Sequence, residues 1–280
     1  MRLVSPGSTP DEPSVFRVRD RLQNWGLEVE LGKHAFSKEG YLAGSDADRL
    51  SDLNEALRDL SVRAVIATRG GKGSYRIADQ IDFAATQANP KFLVGFSDVS
   101  ILHLSLWKKC GLVGIHGAAF EADEGRSLRR ALMSNDPIVV NSRRTEPSTK
   151  LTTQGRAYGP LIGGNLDMIA TAAGWSLPKL NGAILLMEIV GQEIGAVDRQ
   201  LSMLRKAGHL SGLVGVAVGQ FTDVSTNTVD MVSHHLKALN VPVLGGLPLG
   251  HGDNPECIFV GAPAELDADG LRLFVGRCET

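Results

Sequence analysis

Apolar positions follow two rhythms along this chain, short β-branched runs and helical stripes, and the two alternate. In the stretch SDADRLSDLNEALRDL (45–60), Leu50, Leu53, Leu57 and Leu60 fall at helical spacing. Ser45 stands at the N-cap position and aspartates crowd the first turn, so a helix is predicted there. AVIAT (64–68) then predicts a buried strand, RGGKGS (69–74) a glycine-rich loop, and FLVGF (92–96) a second strand. A helix is predicted over 97–109, with Gly111 as its stop. Residues 121–158 break the rhythm. They are polar and turn-rich, with weak short strands, and read as a connection between two lobes. The alternation resumes at 159–174, where GPLIGGNLDMIATAAG predicts a glycine-rich turn feeding an apolar helix. Strands are predicted at 183–190 and 213–221, with a helix over 193–208 ended by Gly208 between them. At 242–255 a strand runs into another glycine-rich loop. The alternation predicts an α/β protein with a mostly parallel sheet flanked by helices. The expected division is an N-terminal lobe at 1–120, a connecting segment at 121–158 and a C-terminal lobe at 159–280.

Composition narrows the function classes. The 280 residues are 43% hydrophobic and 21% charged, an ordinary globular balance that can bury a full core in one large domain or two small ones. A formal net charge of −2 with no basic stripe does not suggest binding along a nucleic-acid backbone, and 5% aromatics argue against base-stacking platforms. The opening MRLVSPGS lacks the apolar core of a signal peptide. No apolar run is long enough to span a bilayer, so no membrane partner is expected. Cys110, Cys257 and Cys278 are widely spaced, which fits a reduced, cytoplasmic protein better than a disulfide scaffold or a zinc site. No metal or cofactor is expected.

Ligand sites in parallel sheets form at the carboxyl ends of strands. Ser97 follows FLVGF, Glu188 closes AILLME, and His251 follows PVLGGLPLG. A serine, a carboxylate and a histidine in these places are the parts of a hydrolytic triad. Each also has a plainer reading. Gly95-Phe96-Ser97-Asp98-Val99 lacks the second glycine of a Gly-x-Ser-x-Gly nucleophile elbow, and Ser97 could be a helix N-cap. Glu188 could pair with a nearby basic group, and His251 could be a solvated loop residue. The loop TRGGKGS lacks phosphate-loop spacing. It could be a simple turn, or it could bring backbone N–H groups to a reacting carbonyl. His116 in GIHGAAF is a competing histidine, whereas His234 and His235 are expected on a surface helix.

Taken in order, these segments resemble the LD-carboxypeptidase family of serine peptidases, which includes the microcin C immunity peptidases. RGGKGSYRI resembles that family's Arg-Gly-Gly-Tyr-Gly-Ser loop. NPKFLVGFSDVSIL resembles its nucleophile segment, and GLVGIHGAAF its following His-Gly-Pro strand. GPLIGGNLDMI is similar to its Gly-Gly-Asn-Leu turn, AILLMEIVGQEIGAVDRQ to its Glu strand and Asp-Arg helix, and GLPLGHGDNPECIFVGAPAELDADGLRL to its Gly-His loop and C-terminal strands. The likeness runs over essentially the whole chain. It implies a two-lobed cytoplasmic hydrolase without metal, its C-terminal lobe β-rich and its site in the cleft between lobes. It assigns Ser97 as nucleophile, His251 as base and acid, and Glu188 as the carboxylate that orients His251. It implies an oxyanion hole from the backbone N–H groups of Asp98 and Gly71, substrate contacts from Lys72, Gln192 and Asn165, and a homodimer.

Departures from the family pattern fall near the expected substrate. Lys72 stands where the family has Tyr, Ile189 where Asp follows the catalytic Glu, and Gln192 where a charged residue is usual. The chain is also short for the family. The resemblance implies hydrolysis of an amide next to a free C-terminal carboxylate, the L,D-bond of murein tetrapeptides. The immunity branch would instead cleave aminoacyl-nucleotide antibiotics and would need aromatics for the base, for which the inter-lobe region offers only Phe120, Tyr158 and Trp175. A non-catalytic nucleotide- or phosphate-binding protein is the reading from another class.

Overall fold

Short runs with few polar residues build the first sheet of the computed structural model, which describes residues 1–117 and 125–276. Its strands are Arg2–Val4 (β1), Glu30–Leu31 (β2), Ala64–Ala67 (β3), Phe92–Gly95 (β4) and Gly114–His116 (β5). Helices Glu12–Asn24 (α1), Asp46–Arg58 (α2), Phe83–Ala88 (α3) and Ser100–Cys110 (α4) alternate with them. The pairs among β2, β1, β3, β4 and β5 are parallel, as the alternation of strands and helices requires.

After β5 come helix Arg126–Met133 (α5), strands Ile138–Asn141 (β6) and Arg156–Asn165 (β7), and helix Leu166–Ala172 (α6). Strand Ile184–Val190 (β8), helix Ile194–Lys206 (α7), strand Gly215–Thr222 (β9), helix Thr228–Lys237 (α8) and strand Val243–Leu244 (β10) follow. Three strands close the chain, Ile258–Val260 (β11), Pro263–Asp267 (β12) and Arg272–Val275 (β13). The second sheet has the order β10-β9-β8-β7-β12-β13-β6. It is parallel from β10 to β7 and antiparallel from β7 to β6. The first sheet runs β11-β5-β4-β3-β1-β2, with β11 antiparallel on β5. A late segment of the chain therefore completes the early sheet. The hydrophobic clusters also draw on both sheets: Val94 and Ile115 share one cluster with Leu161 and Leu186. Among the described residues no helix is long and apolar enough to cross a membrane.

Several sequence expectations hold. Ser45 caps α2 in a reciprocal box, accepting from Asp48 N at 3.1 Å while its own N–H donates to the Asp48 carboxylate at 3.1 Å. Gly111 ends α4 in the left-handed region at φ 64°. Others fail for identifiable reasons. Leu60 is 77% exposed because α2 stops at Arg58. Asp59 turns the chain there, accepting from Ser61 N and Oγ at 2.8 and 2.7 Å. GPLIGGN is the inner end of β7, not a turn. Its glycines are there for close approach: a Cβ on Gly163 would overlap the Leu186 carbonyl oxygen, and one on Gly164 would overlap Ser100 Oγ. The connecting segment carries a full helix, α5, and β6 joins the edge of the second sheet.

Candidate active site

The turn after β4 is tight because Gly95 has no side chain. A Cβ there would sit 2.7 Å from Val99 Cγ1. Val99, in the place of the second elbow glycine, fills the space that Gly95 leaves open. The turn forces Ser97 into the left-handed region at φ 61°, which costs a non-glycine residue about 1–2 kcal/mol. Ser97 is not a helix cap. A 3₁₀ turn over Ser97–Val99 begins at Phe96 without a side-chain cap, and α4 begins only at Ser100. Such strain at a half-buried serine on the cavity wall is the geometry of a nucleophile elbow, reached here without the usual pattern.

The loop at 69–74 packs directly on this turn. A Cβ on Gly70 would lie 3.0 Å from Ser97 Cβ and 3.4 Å from Asp98 N. Three side chains pin the loop from behind. Ser8 Oγ accepts from Lys72 N at 3.0 Å. The fully buried Arg49 donates to Gly73 O at 3.0 Å and also to Pro6 O. Asp98 accepts from Ser74 N at 2.7 Å. Burial raises the Asp98 carboxyl above the ordinary carboxylate value, against the pull of its hydrogen bonds to the loop. Asp98 thus ties the turn that carries Ser97 to the glycine loop.

Glu188 is fully buried on β8. The register of β8 against β9 shifts between Met187 and Ile189, and a bulge of this kind re-aims a side chain. Gly219 and Gly250 leave it room, since a Cβ on either would lie 3.1 or 3.0 Å from Glu188 Cβ. Its carboxylate accepts from Asn165 Nδ2 at 2.9 Å and meets His251 Nδ1 at 2.9 Å. Among the described residues no lysine or arginine pairs with Glu188, whose partners are an amide and an imidazole. His251 is not a solvated loop residue either: its side chain is 20% exposed and its ring packs on Phe96 with centroids 4.6 Å apart. Sequence reading missed the residue that holds its loop. Buried Gln220 accepts from Gly252 N at 2.9 Å and donates to Asp253 O at 3.0 Å and Glu146 Oε1 at 2.8 Å. The only sequence signal was a polar residue inside the apolar run of β9.

Ser97, His251, Gly70 and Gly71 line one cavity of about 620 Å³. Phe96, Arg69, Asp253 and Asn254 also line it. Lys72, Gln192 and Asn165 are not on its wall. Asn165 sits behind Glu188, where its Oδ1 also caps α6 by accepting from Asp167 N at 3.1 Å. Gln192 lies half-buried just beyond β8, its Oε1 without a partner. Phe120 and Cys278 lie outside the described residues.

His116 is fully buried and its ring nitrogens have no hydrogen-bond partner. Burial pushes it down to about 3, and pushes His103 down to about 4. Both are neutral spacers in the fold. His235, expected at the surface, is buried between α7 and α8 with Nε2 2.6 Å from Asp198; His234 is exposed. The two depressed histidines predict acid sensitivity. Below their ordinary value of 6.5 the unfolded chain takes up two protons that the native state refuses until about 4 and about 3. Stability is therefore full above that value and falls as the pH drops, by on the order of 3 kcal/mol at pH 5. The raised Asp98 carboxyl opposes this with one proton. Urea midpoints at pH 7 and pH 5 check the slope; equal midpoints would contradict it.

The sequence and fold match known proteins throughout. The LD-carboxypeptidase N-terminal domain matches residues 1–117, and the LD-carboxypeptidase C-terminal domain matches residues 158–266. The chain is 31% identical to the probable murein peptide carboxypeptidase of Bacillus subtilis (strain 168), over 95% of this chain and 88% of that protein. It is also 31% identical to the murein tetrapeptide carboxypeptidase of Pseudomonas aeruginosa, over 96% of this chain and 94% of that one. Its fold matches that of MccF in complex with glutamyl sulfamoyl guanosine with a TM-score of 0.88, covering 99% and 95% of the two chains at 20% identity. These matches define a serine carboxypeptidase-like hydrolase, not a non-catalytic binding protein. The chain belongs to the LD-carboxypeptidase family.

Proposed function

We propose that this chain hydrolyses the amide between an L-centre and a terminal D-amino acid in murein tetrapeptides, using Ser97, His251 and Glu188. One observation carries the reading: strained Ser97 and His251, the latter bonded to a buried carboxylate, line a single cavity beside a glycine loop. In this mechanism Glu188 accepts from His251 Nδ1–H, which leaves Nε2 as a base. Nε2 takes the Ser97 proton as Oγ attacks the carbonyl carbon. The oxyanion accepts from the backbone N–H groups of Asp98 and Gly71. His251 then gives its proton to the departing amine, and water hydrolyses the acyl ester by the same steps in reverse. Asn165 acts through Glu188, and Lys72 and Gln192 meet parts of the substrate farther from the reacting bond.

The murein reading is favoured over aminoacyl-nucleotide cleavage by what lines the cavity. Tyr158 is 62% exposed with its hydroxyl on Glu265, and neither it nor Trp175 is on the cavity wall. Among the described residues the one phenylalanine, tyrosine or tryptophan there, Phe96, is already packed on His251. The same reading takes the enzyme as a cytoplasmic homodimer with lobes dividing near residues 120 and 158. The test is release of D-alanine from an L,D-linked murein tetrapeptide. No release, with Ser97 still labelled by a fluorophosphonate, would move the substrate to aminoacyl nucleotides.

A further inference from the structure

A carboxypeptidase must recognise a charge that lies close to its own chemistry. In a peptide the terminal carboxylate carbon is three bonds from the scissile carbonyl carbon, so its binding group must sit beside the nucleophile and the glycine loop. Arg69 sits there. It lines the cavity with Ser97 and His251, and the next residue, Gly70, packs against Ser97. Besides His251, it is the one basic side chain on the described wall. Its guanidinium is exposed and donates through Nη1 to Thr9 O at 3.1 Å. That contact fixes the arm and uses one of five N–H donors. No carboxylate among the described residues pairs with it. Asp253, the other charged group on the wall, would repel an anion. Lys72, the nearest alternative cation in sequence, is off the wall.

We propose that Arg69 binds the terminal carboxylate of the substrate and thereby sets the requirement for a free C-terminus. This rests on the carboxypeptidase reading above. A planar guanidinium suits the task because its paired N–H groups match the two carboxylate oxygens. Anchoring to Thr9 O pre-sets the arm, so little rotamer freedom is lost on binding.

The test compares kcat/KM for an L,D-linked murein tetrapeptide ending in free D-alanine with its D-alaninamide, in wild type, Arg69→Gln and Arg69→Lys. Wild type is expected to favour the acid by about 100-fold, the size of a charge-assisted contact. In Arg69→Gln that ratio collapses toward one, mainly through KM for the acid, and Arg69→Lys recovers part of it. An unchanged ratio in Arg69→Gln, with wild type active and selective, overturns the role of Arg69 and leaves the carboxypeptidase reading standing. A wild type that cleaves acid and amide equally also overturns it. If wild type cleaves neither, the carboxypeptidase reading falls and the role of Arg69 falls with it. If Arg69→Gln cleaves neither peptide, labelling of Ser97 by a neutral fluorophosphonate decides. Labelling at the wild-type rate supports carboxylate binding, and lost labelling makes Arg69 a loop support and overturns the proposal.

Discussion

Ser97→Ala is expected to release D-alanine from an L,D-linked murein tetrapeptide roughly 10⁴- to 10⁶-fold more slowly than wild type, the loss seen when a triad nucleophile is removed. Without Oγ no acyl ester forms, and the remaining N–H donors and the cavity can only orient the peptide. The fold should be indifferent to the change, because Ala and Ser meet the same penalty at φ 61°. Ser97→Gly sharpens the test. Glycine populates that region freely, so this variant should be as inactive as Ser97→Ala yet about 1 kcal/mol more stable. Thermal melts and initial rates on the three proteins read both effects. A glycine variant that is less stable would mean that the turn is not strained, and an active alanine variant would remove Ser97 from the chemistry.

Glu188→Gln should cost roughly 10⁴-fold in kcat while leaving the protein folded. The amide keeps the shape of the carboxylate, and its oxygen can still accept from Asn165 Nδ2. Its NH₂ group then faces His251 Nδ1, which must become the acceptor. The ring proton moves to Nε2, and the nitrogen that should take the serine proton is no longer a base. Nitrogen-15 shifts of His251 report the tautomer directly. Glu188→Ala should lose stability as well, because it strips the acceptor from a buried amide, a loss of about 1–3 kcal/mol. A Glu188→Gln enzyme with near wild-type turnover and Nδ1–H intact would exclude Glu188 as the orienting group.

Sequence spacing singled out Ser97, Glu188 and His251 because each stands at or beyond the end of an apolar run, although Glu188 does not close its strand but lies inside β8, which continues to Val190. Spacing could not show how they converge. Glu188 turns toward His251 at a bulge, and a bulge is an irregularity in pairing that no periodicity marks. Gln220 supports the site from the interior of β9, where a polar residue reads as an interruption, and Asn165, expected to touch substrate, instead holds Glu188 from the end of β7. Gly163 and Gly164 looked like a turn because glycine punctuates turns more often than it permits close backbone approach. Arg69 was hidden for a different reason: a lone arginine before glycines is unremarkable until the cavity around it is visible. Leu60 shows the converse failure, in which a matching period ran past a local aspartate turn that ended the helix.

The donation of β11 to the first sheet has a consequence for the life of the chain. Synthesis runs from the N-terminus, so the lobe bearing Ser97 leaves the ribosome long before residues 251–260. Until then β5 has an unpaired edge, and His251 does not yet exist beside the serine. The first sheet is therefore complete only when the last tenth of the chain folds back, and only then can His251 share a cavity with Ser97.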